Sequence, residues 1–445
     1  AELNLYATRA NVALRNFELD SAIEDYVKAL ETAEAIGFLG NQAMTLNNLG
    51  KVYSQCDRYR DAISAFKEAE KTCLRIDEGP SLVAIHSNLA ILHSKIGDYP
   101  SMEAALAAAE RLAHSAGRRE KFFLSHANGL ARIFQGKYSE ARNRLERAIA
   151  EGKALGDHHV VEFDDVYRAE ALVFEGFLAD AEEALVRLAE AGRTETVRRM
   201  ALSRLAFLHA SRHQKDLSAQ AVHDYDRLEV RSGIPFLDAW NGVFLGWAHA
   251  QLGEQDEATK RLRPARAFFR RHGLLRMEDL TRAVEAHGLL ASANGIGGRG
   301  SSLYAEAESL LARIEPRGQA LLSILRPLLL ARLLAATGKA RANGEAYEGL
   351  MADAGAALAL NPLAPWRDEL ERLRVAFTSG GSEDPKLIAP RSKDKGTSST
   401  RTLALGAALK DEKPSRRGLV AESAAMKRLL AVVHRPVKRP RRVLR

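Results

Sequence analysis

What this chain of 445 residues has little of sets the first bounds. Its only cysteines, Cys56 and Cys73, stand inside helical patterns with no partner pair at ligand spacing. That excludes a disulfide framework and a zinc site, and it points to a reducing, cytoplasmic setting. Aromatic residues make up 6% and prolines number 13. Such scarcity disfavours a sandwich or barrel, whereas 46% hydrophobic residues, with Ala and Leu plentiful, fit an all-α fold with a large core. Long clean apolar runs are missing as well. The most apolar window, Ala320 to Ala336, is interrupted by Arg326, Pro327 and Arg332, too costly for a membrane span and ordinary for a buried helix. The chain opens Ala1-Glu2 with no basic-then-apolar leader, so we expect no signal peptide and a start missing upstream.

A dispersed basic charge is also absent. The formal net charge is +8, but Lys427, Arg428, Arg435, Lys438, Arg439, Arg441, Arg442 and Arg445 supply eight cations with no acidic residue among them. Residues 1 to 426 are therefore formally neutral, and contact with nucleic acid is expected only through this basic tail.

What is present is a repeat. An anchor residue, small in every case but Met102, recurs after an acidic or polar pair as Ala22, Ala62, Met102, Ala141, Ala181 and Ala258. They lie 40, 40, 39 and 40 residues apart and then, across a degenerate repeat near Ala219, 77. Twelve residues before each stands another small residue: Ala10, Gly50, Ala90, Gly129, Ala169 and Gly246. Four residues after each comes a large one: Tyr26, Phe66, Leu106, Leu145, Leu185 and Leu262. Facing small residues let two helices approach closely, and the large residue fills the gap beside them. The pattern predicts an antiparallel helical hairpin. Its turn reads Gly97-Asp-Tyr99, Gly136-Lys-Tyr138, Gly176-Phe-Leu178 and Gly253-Glu-Gln255, with glycine ending the first helix in the left-handed conformation.

These residues resemble the tetratricopeptide repeat, most closely in Asn47-Asn-Leu-Gly-Lys-Val-Tyr53 followed by Tyr59-Arg-Asp-Ala-Ile-Ser-Ala-Phe66. The usual period is about 34; the longer one here implies longer helices. The resemblance is strong over residues 1 to 270 and weak over Leu280 to Leu373, where Leu289-Leu290 and Tyr304-Ala-Glu-Ala307 remain. We expect a right-handed superhelical solenoid of about nine hairpins over residues 1–375. Residues 376–417, including Thr378-Ser-Gly-Gly-Ser-Glu-Asp-Pro385, read as a disordered linker.

After the linker, Gly418-Leu-Val-Ala-Glu-Ser-Ala-Ala-Met426 and the following Lys-Arg-Leu-Leu-Ala-Val-Val433 resemble the entry to the AAA+ ATPase domain of sigma-54-dependent transcription activators. Gly418, Val420, Ser423 and Met426 match that family's pattern, and Ala421 replaces its second glycine. Residues 418–434 thus read as a vestigial AAA+ start, and 435–445 as a basic tail or an out-of-frame end. The resemblance implies the signal-receiving array of such a regulator, truncated before its ATPase and DNA-binding parts. Sigma-54 RNA polymerase would then be a partner only of an intact relative. The alternative is a stand-alone scaffold.

No catalytic, metal or cofactor site emerges. Gly295-Ile-Gly-Gly-Arg-Gly300 spells a dinucleotide fingerprint but follows a repeat helix instead of a buried strand. His86 and His93 fall at packing positions, and His158-His159 reads as a loop. The binding surface expected of such an array is the concave groove lined by the first helices of the hairpins, which would hold a protein or peptide partner. Asn48 and Asn88 sit 40 residues apart at one repeat position, where amides can both donate to and accept from a peptide backbone. Lys51 and Lys95 would attract a carboxylate; Ala127 ends the Asn series.

Overall fold

Seen in a computed structural model, the hydrophobic pattern resolves into helices alone. The structure describes residues 2–16, 18–114, 117–228, 233–293 and 300–378, and among them there are 19 α-helices and no strand. The chain divides into two units, Ala1–Gly396 and Thr397–Arg445, and every described residue belongs to the first.

Eighteen helices pair into nine antiparallel hairpins. The first four are α1 (Glu2–Arg15) with α2 (Leu19–Ala35), α3 (Leu39–Gln55) with α4 (Tyr59–Arg75), α5 (Gly79–Ile96) with α6 (Tyr99–Ala113), and α7 (Arg118–Gln135) with α8 (Tyr138–Leu155). Next come α9 (His158–Glu175) with α10 (Leu178–Ala191), α11 (Glu195–Ser211) with α12 (Lys215–Arg227), and α13 (Pro235–Gln251) with α14 (Gln255–Arg271). The weakly patterned stretch still forms α15 (Leu275–Ala293) with α16 (Gly300–Ala312) and α17 (Ala320–Ala336) with α18 (Gly344–Leu360), and α19 (Ala364–Thr378) closes the array. Helices of 17 or 18 residues are common in the first hairpins, which accounts for the long period.

The small-and-large register sets the packing distance within each hairpin. A Cβ placed on Gly50 would lie 2.6 Å from the Phe66 ring, one on Gly129 2.6 Å from Leu145, and one on Gly246 2.5 Å from Leu262. Each of these pairs is a small residue and the large residue sixteen positions later, as the repeat predicts. In the sixth hairpin the anchor is Ser218, one place before the expected Ala219. Its buried Oγ donates to the Ala206 carbonyl at 2.9 Å, so a hydroxyl satisfied by the facing helix replaces the usual alanine.

Turn chemistry repeats too. Gly97, Gly136 and Gly176 end their helices at φ of 79°, 78° and 89°, and Asp98 N–H returns to the His93 carbonyl at 2.9 Å. Where hairpins two and six lack glycine there, Asp57 and His213 adopt φ of 60° and 56°. Tyr99 and Tyr138, following the turns, are buried as expected. His158 and His159 are a correction: they form the first turn of α9, because Asp157 caps that helix by accepting from Val160 N–H. No helix among the described residues is long and apolar enough to cross a membrane.

The array also curls until hairpins five apart meet. Gly97 abuts Arg276 at the start of α15, Gly136 abuts Leu321 at the start of α17, and Gly176 abuts Ala364 at the start of α19. Any side chain at these glycines would collide, since a Cβ would stand 2.6, 2.8 and 2.6 Å from the neighbour. This ladder decides which part of the inner face stays open.

Candidate partner-docking groove

Three positions on each first helix, 14, 11 and 7 residues before the anchor, form one stripe because they are spaced by three and four along a helix. In hairpin one the stripe is Thr8, Asn11 and Arg15; in hairpin two Asn48, Lys51 and Gln55; in hairpin three Asn88, Ile91 and Lys95. The residues of the first helix are exposed and those of the next two half-buried.

Further along, the same stripe turns apolar and closes. Phe134 of α7 meets Phe236 at 5.5 Å between ring centroids, and Phe174 of α9 meets Trp247 at 5.8 Å. Phe207 and Phe244 pack edge to face at 5.5 Å, and Trp247 stacks on Trp366 of α19. Inside this aromatic fill lies a fully buried ion pair: Arg204 Nε donates to Glu170 Oε2 at 3.0 Å while its plane covers the Phe244 ring. Arg204 also donates to Asn241 and to Ser203. Burial pushes the Glu170 carboxyl up and Arg204 pulls it partway back.

The four expected groove residues meet different fates. Asn88 Nδ2 donates to Asn47 Oδ1 at 2.9 Å, joining two repeats through a residue adjacent to the expected Asn48. Asn48 is half-buried and forms no side-chain hydrogen bond among the described residues. Lys51 is half-buried without an ion pair among the described residues. Burial depresses its ammonium, opposed by Asp157 and reinforced by Arg119 and Arg15. Lys95 departs from the expectation: its Nζ lies 4.8 Å from the Phe236 centroid, in the seam between α5 and α13. Burial lowers it to about 8, with Asp57 as the counter-charge. Asp57, itself pushed up by burial, accepts from Tyr59 Oη at 2.8 Å. The partner of Lys95 is thus internal, supplied four hairpins away.

Composition alone overlooks three features. Asn47 shares its repeat position with Ser87 and His126, and His126 Nδ1 lies 2.7 Å from the buried Asp164 of the next first helix. Asn11, the repeat equivalent of Lys51, accepts from Tyr26 Oη at 2.7 Å. Asn11 lies on the stripe in the 40-residue register, whereas Asn47 and His126 stand one position before it. The expected linker starts later than read, since α19 runs to Thr378; residues 379–445, with the rest of that linker and Gly418, Val420, Ser423 and Met426, and 294–299 of the glycine-rich stretch lie outside the described residues.

The first two hairpins carry the recognisable signature: a tetratricopeptide-repeat family model matches residues 2–75. Among solved structures, yeast Tom70 is similar at 12% identity over 86% of this chain and 98% of that one, with a TM-score of 0.38. No curated protein matches. The described residues form an all-α, tetratricopeptide-like solenoid, and residues 2–75 carry the tetratricopeptide repeat of a protein-interaction scaffold.

Proposed function

We propose that this protein is a non-catalytic docking scaffold that holds an extended segment of a partner protein along the inner face of hairpins one to three. The observation that carries this reading is the unspent polarity there: Asn48 and Lys51 stand half-buried, with no hydrogen bond or ion pair among the described residues. Half-burial already costs these groups hydration, and a ligand that pairs with them returns the loss. The amides of Asn48 and Asn88 hold the ligand backbone, and Lys51 meets a carboxylate. Peptides selected from a random library on the full chain should lose binding to an Asn48→Ala/Lys51→Ala variant and keep it with Lys71→Ala on α4. Equal binding to both variants would contradict the docking site.

A finer reading is that the array receives the signal for a sigma-54-dependent transcription regulator. It is supported by Gly418, Val420, Ser423 and Met426 in the sequence. Sequencing the locus downstream tests it: a phosphate-loop motif and a helix-turn-helix in any frame supports the regulator, and their absence leaves the stand-alone scaffold.

A further inference from the structure

Far from the docking groove, the late end of the same stripe carries a second set of polar groups. Trp247 of α13, His287 of α15 and Arg332 of α17 each stand twelve residues after the start of their helix, the place that Lys51 holds on α3. They therefore follow one another along the inner face of hairpins seven to nine. Helix α19 lies over them. Trp366 stacks on Trp247 at 5.9 Å between ring centroids and meets the His287 ring edge to face at 6.2 Å. Glu369, three residues on and so on the same face of α19, lies 4.0 Å from Arg332, which brings the guanidinium beside the Trp366 ring. Trp247, Arg332 and Trp366 keep only 1%, 8% and 7% of their surface, and His287 is half-buried.

The polar atoms of this cluster have nothing to bond. Trp247 Nε1, Trp366 Nε1, Arg332 Nε and His287 Nδ1 are all buried without a hydrogen-bond partner among the described residues, and each such group loses its hydration with no return. Glu369 does not supply the missing acceptor: one of its oxygens stays 4.0 Å from Arg332, beyond hydrogen-bond reach, and the other is held by Arg372 at 2.8 Å. Indole and guanidinium groups are donors only, so a cation finds no ligand here and an acceptor does. Burial, with Arg332 as a like-charged neighbour, lowers the His287 imidazole to about 3. The ring is therefore neutral, and Arg332 carries the one charge of the cluster left without a close partner. A water molecule could bond some of these donors but would leave that charge standing. A carboxylate answers both needs, since it pairs with the guanidinium and has lone pairs to spare for the indole N–H groups. We propose that the inner face of hairpins seven to nine, under α19, binds a small carboxylate, held by Arg332 and by the indole N–H groups of Trp247 and Trp366.

The test uses the full chain and its own tryptophan fluorescence. The three tryptophans, Trp240, Trp247 and Trp366, all lie in this part of the array, so a carboxylate caught by Lys51 in the docking groove gives no signal. Sodium acetate should change the emission saturably, whereas acetamide, or sodium chloride at equal ionic strength, should not. Arg332→Met should weaken the acetate response on the order of tenfold or more, the size of one charge-assisted bond. Trp366→Phe, which keeps a ring and drops the N–H, should weaken it a few-fold, read on the remaining tryptophans. Lys71→Gln on α4 should leave it unchanged. The proposal is overturned by the lack of a saturable acetate response, by an equal response to acetamide, or by a response that Arg332→Met leaves unaltered; in each case the donors are left to water. Arg332-dependent binding of inorganic phosphate in preference to acetate would overturn it as well. If Arg332→Met does not fold by circular dichroism, Trp366→Phe decides alone, and an unchanged acetate midpoint contradicts the site.

Discussion

Hairpins two and five occupy the same solenoid and present the same three stripe positions, but Asn48, Lys51 and Gln55 in one correspond to Tyr167, Glu170 and Phe174 in the other. The first set is half-buried and mostly unpaired; the second is buried under α11, α13 and α19. Since both sets hang on helices packed by the same small-and-large register, the backbone repeat does not decide whether an inner face recognises a partner or becomes core. Ring-bearing residues at the stripe, met by the rings of hairpins further on, seal it; Asn48, Lys51 and Gln55 meet no such ring among the described residues, whereas Lys95 is covered by Phe236. The curl that brings Gly97, Gly136 and Gly176 against α15, α17 and α19 makes the difference possible.

The largest expected effect comes from breaking the sealed half. Arg204→Leu leaves Glu170 without its ion partner where neither side chain touches solvent, and it should cost about 3–5 kcal/mol by denaturant unfolding. Adding Glu170→Leu to it should recover much of that loss; if it does not, the pair is more than mutual compensation. Next in size is the packing register common to both halves. Gly129→Leu drives a side chain into Leu145 and should cost about 1–3 kcal/mol, while Gly40→Ala, with open space around its Cβ, should change stability little or raise it.

The seam gives a pH-dependent contrast. Lys95 in the folded chain titrates near 8, below the ordinary 10.5. Between those values the unfolded chain binds more protons, so this group makes stability rise with pH over that window. Below about 8 the folded state carries the full cost of the buried charge. Lys95→Met should remove that increment, seen as a difference between the two pH–stability profiles; identical profiles would mean that Lys95 is solvated. Smallest is the open half: Asn48→Ala should shift stability by no more than about 0.5 kcal/mol while still impairing peptide binding.

Much of this was legible before any coordinates. Gly50 with Phe66, and Gly129 with Leu145, follow from spacing because contacts within a hairpin are local and periodic. Even the apolar window at Ala320 coincides with α17. The fate of Lys95 was not legible, because its partner Phe236 is 141 positions away in the chain and is delivered by accumulated curvature. Asn48 and Lys51 stay half-buried because they sit early, before the curl brings later helices over the stripe. Asn47 was overlooked because Asn88 bonds across 41 positions, one more than the repeat spacing that pairs it with Asn48.

The contrast between open and sealed halves can be measured with one quencher. All three tryptophans, Trp240, Trp247 and Trp366, lie in the sealed half and are buried. Acrylamide should therefore quench the native protein weakly, and an Asn48→Trp variant should add a strongly quenched, red-shifted component. Strong quenching of the native protein, or a protected Trp at position 48, would contradict the account.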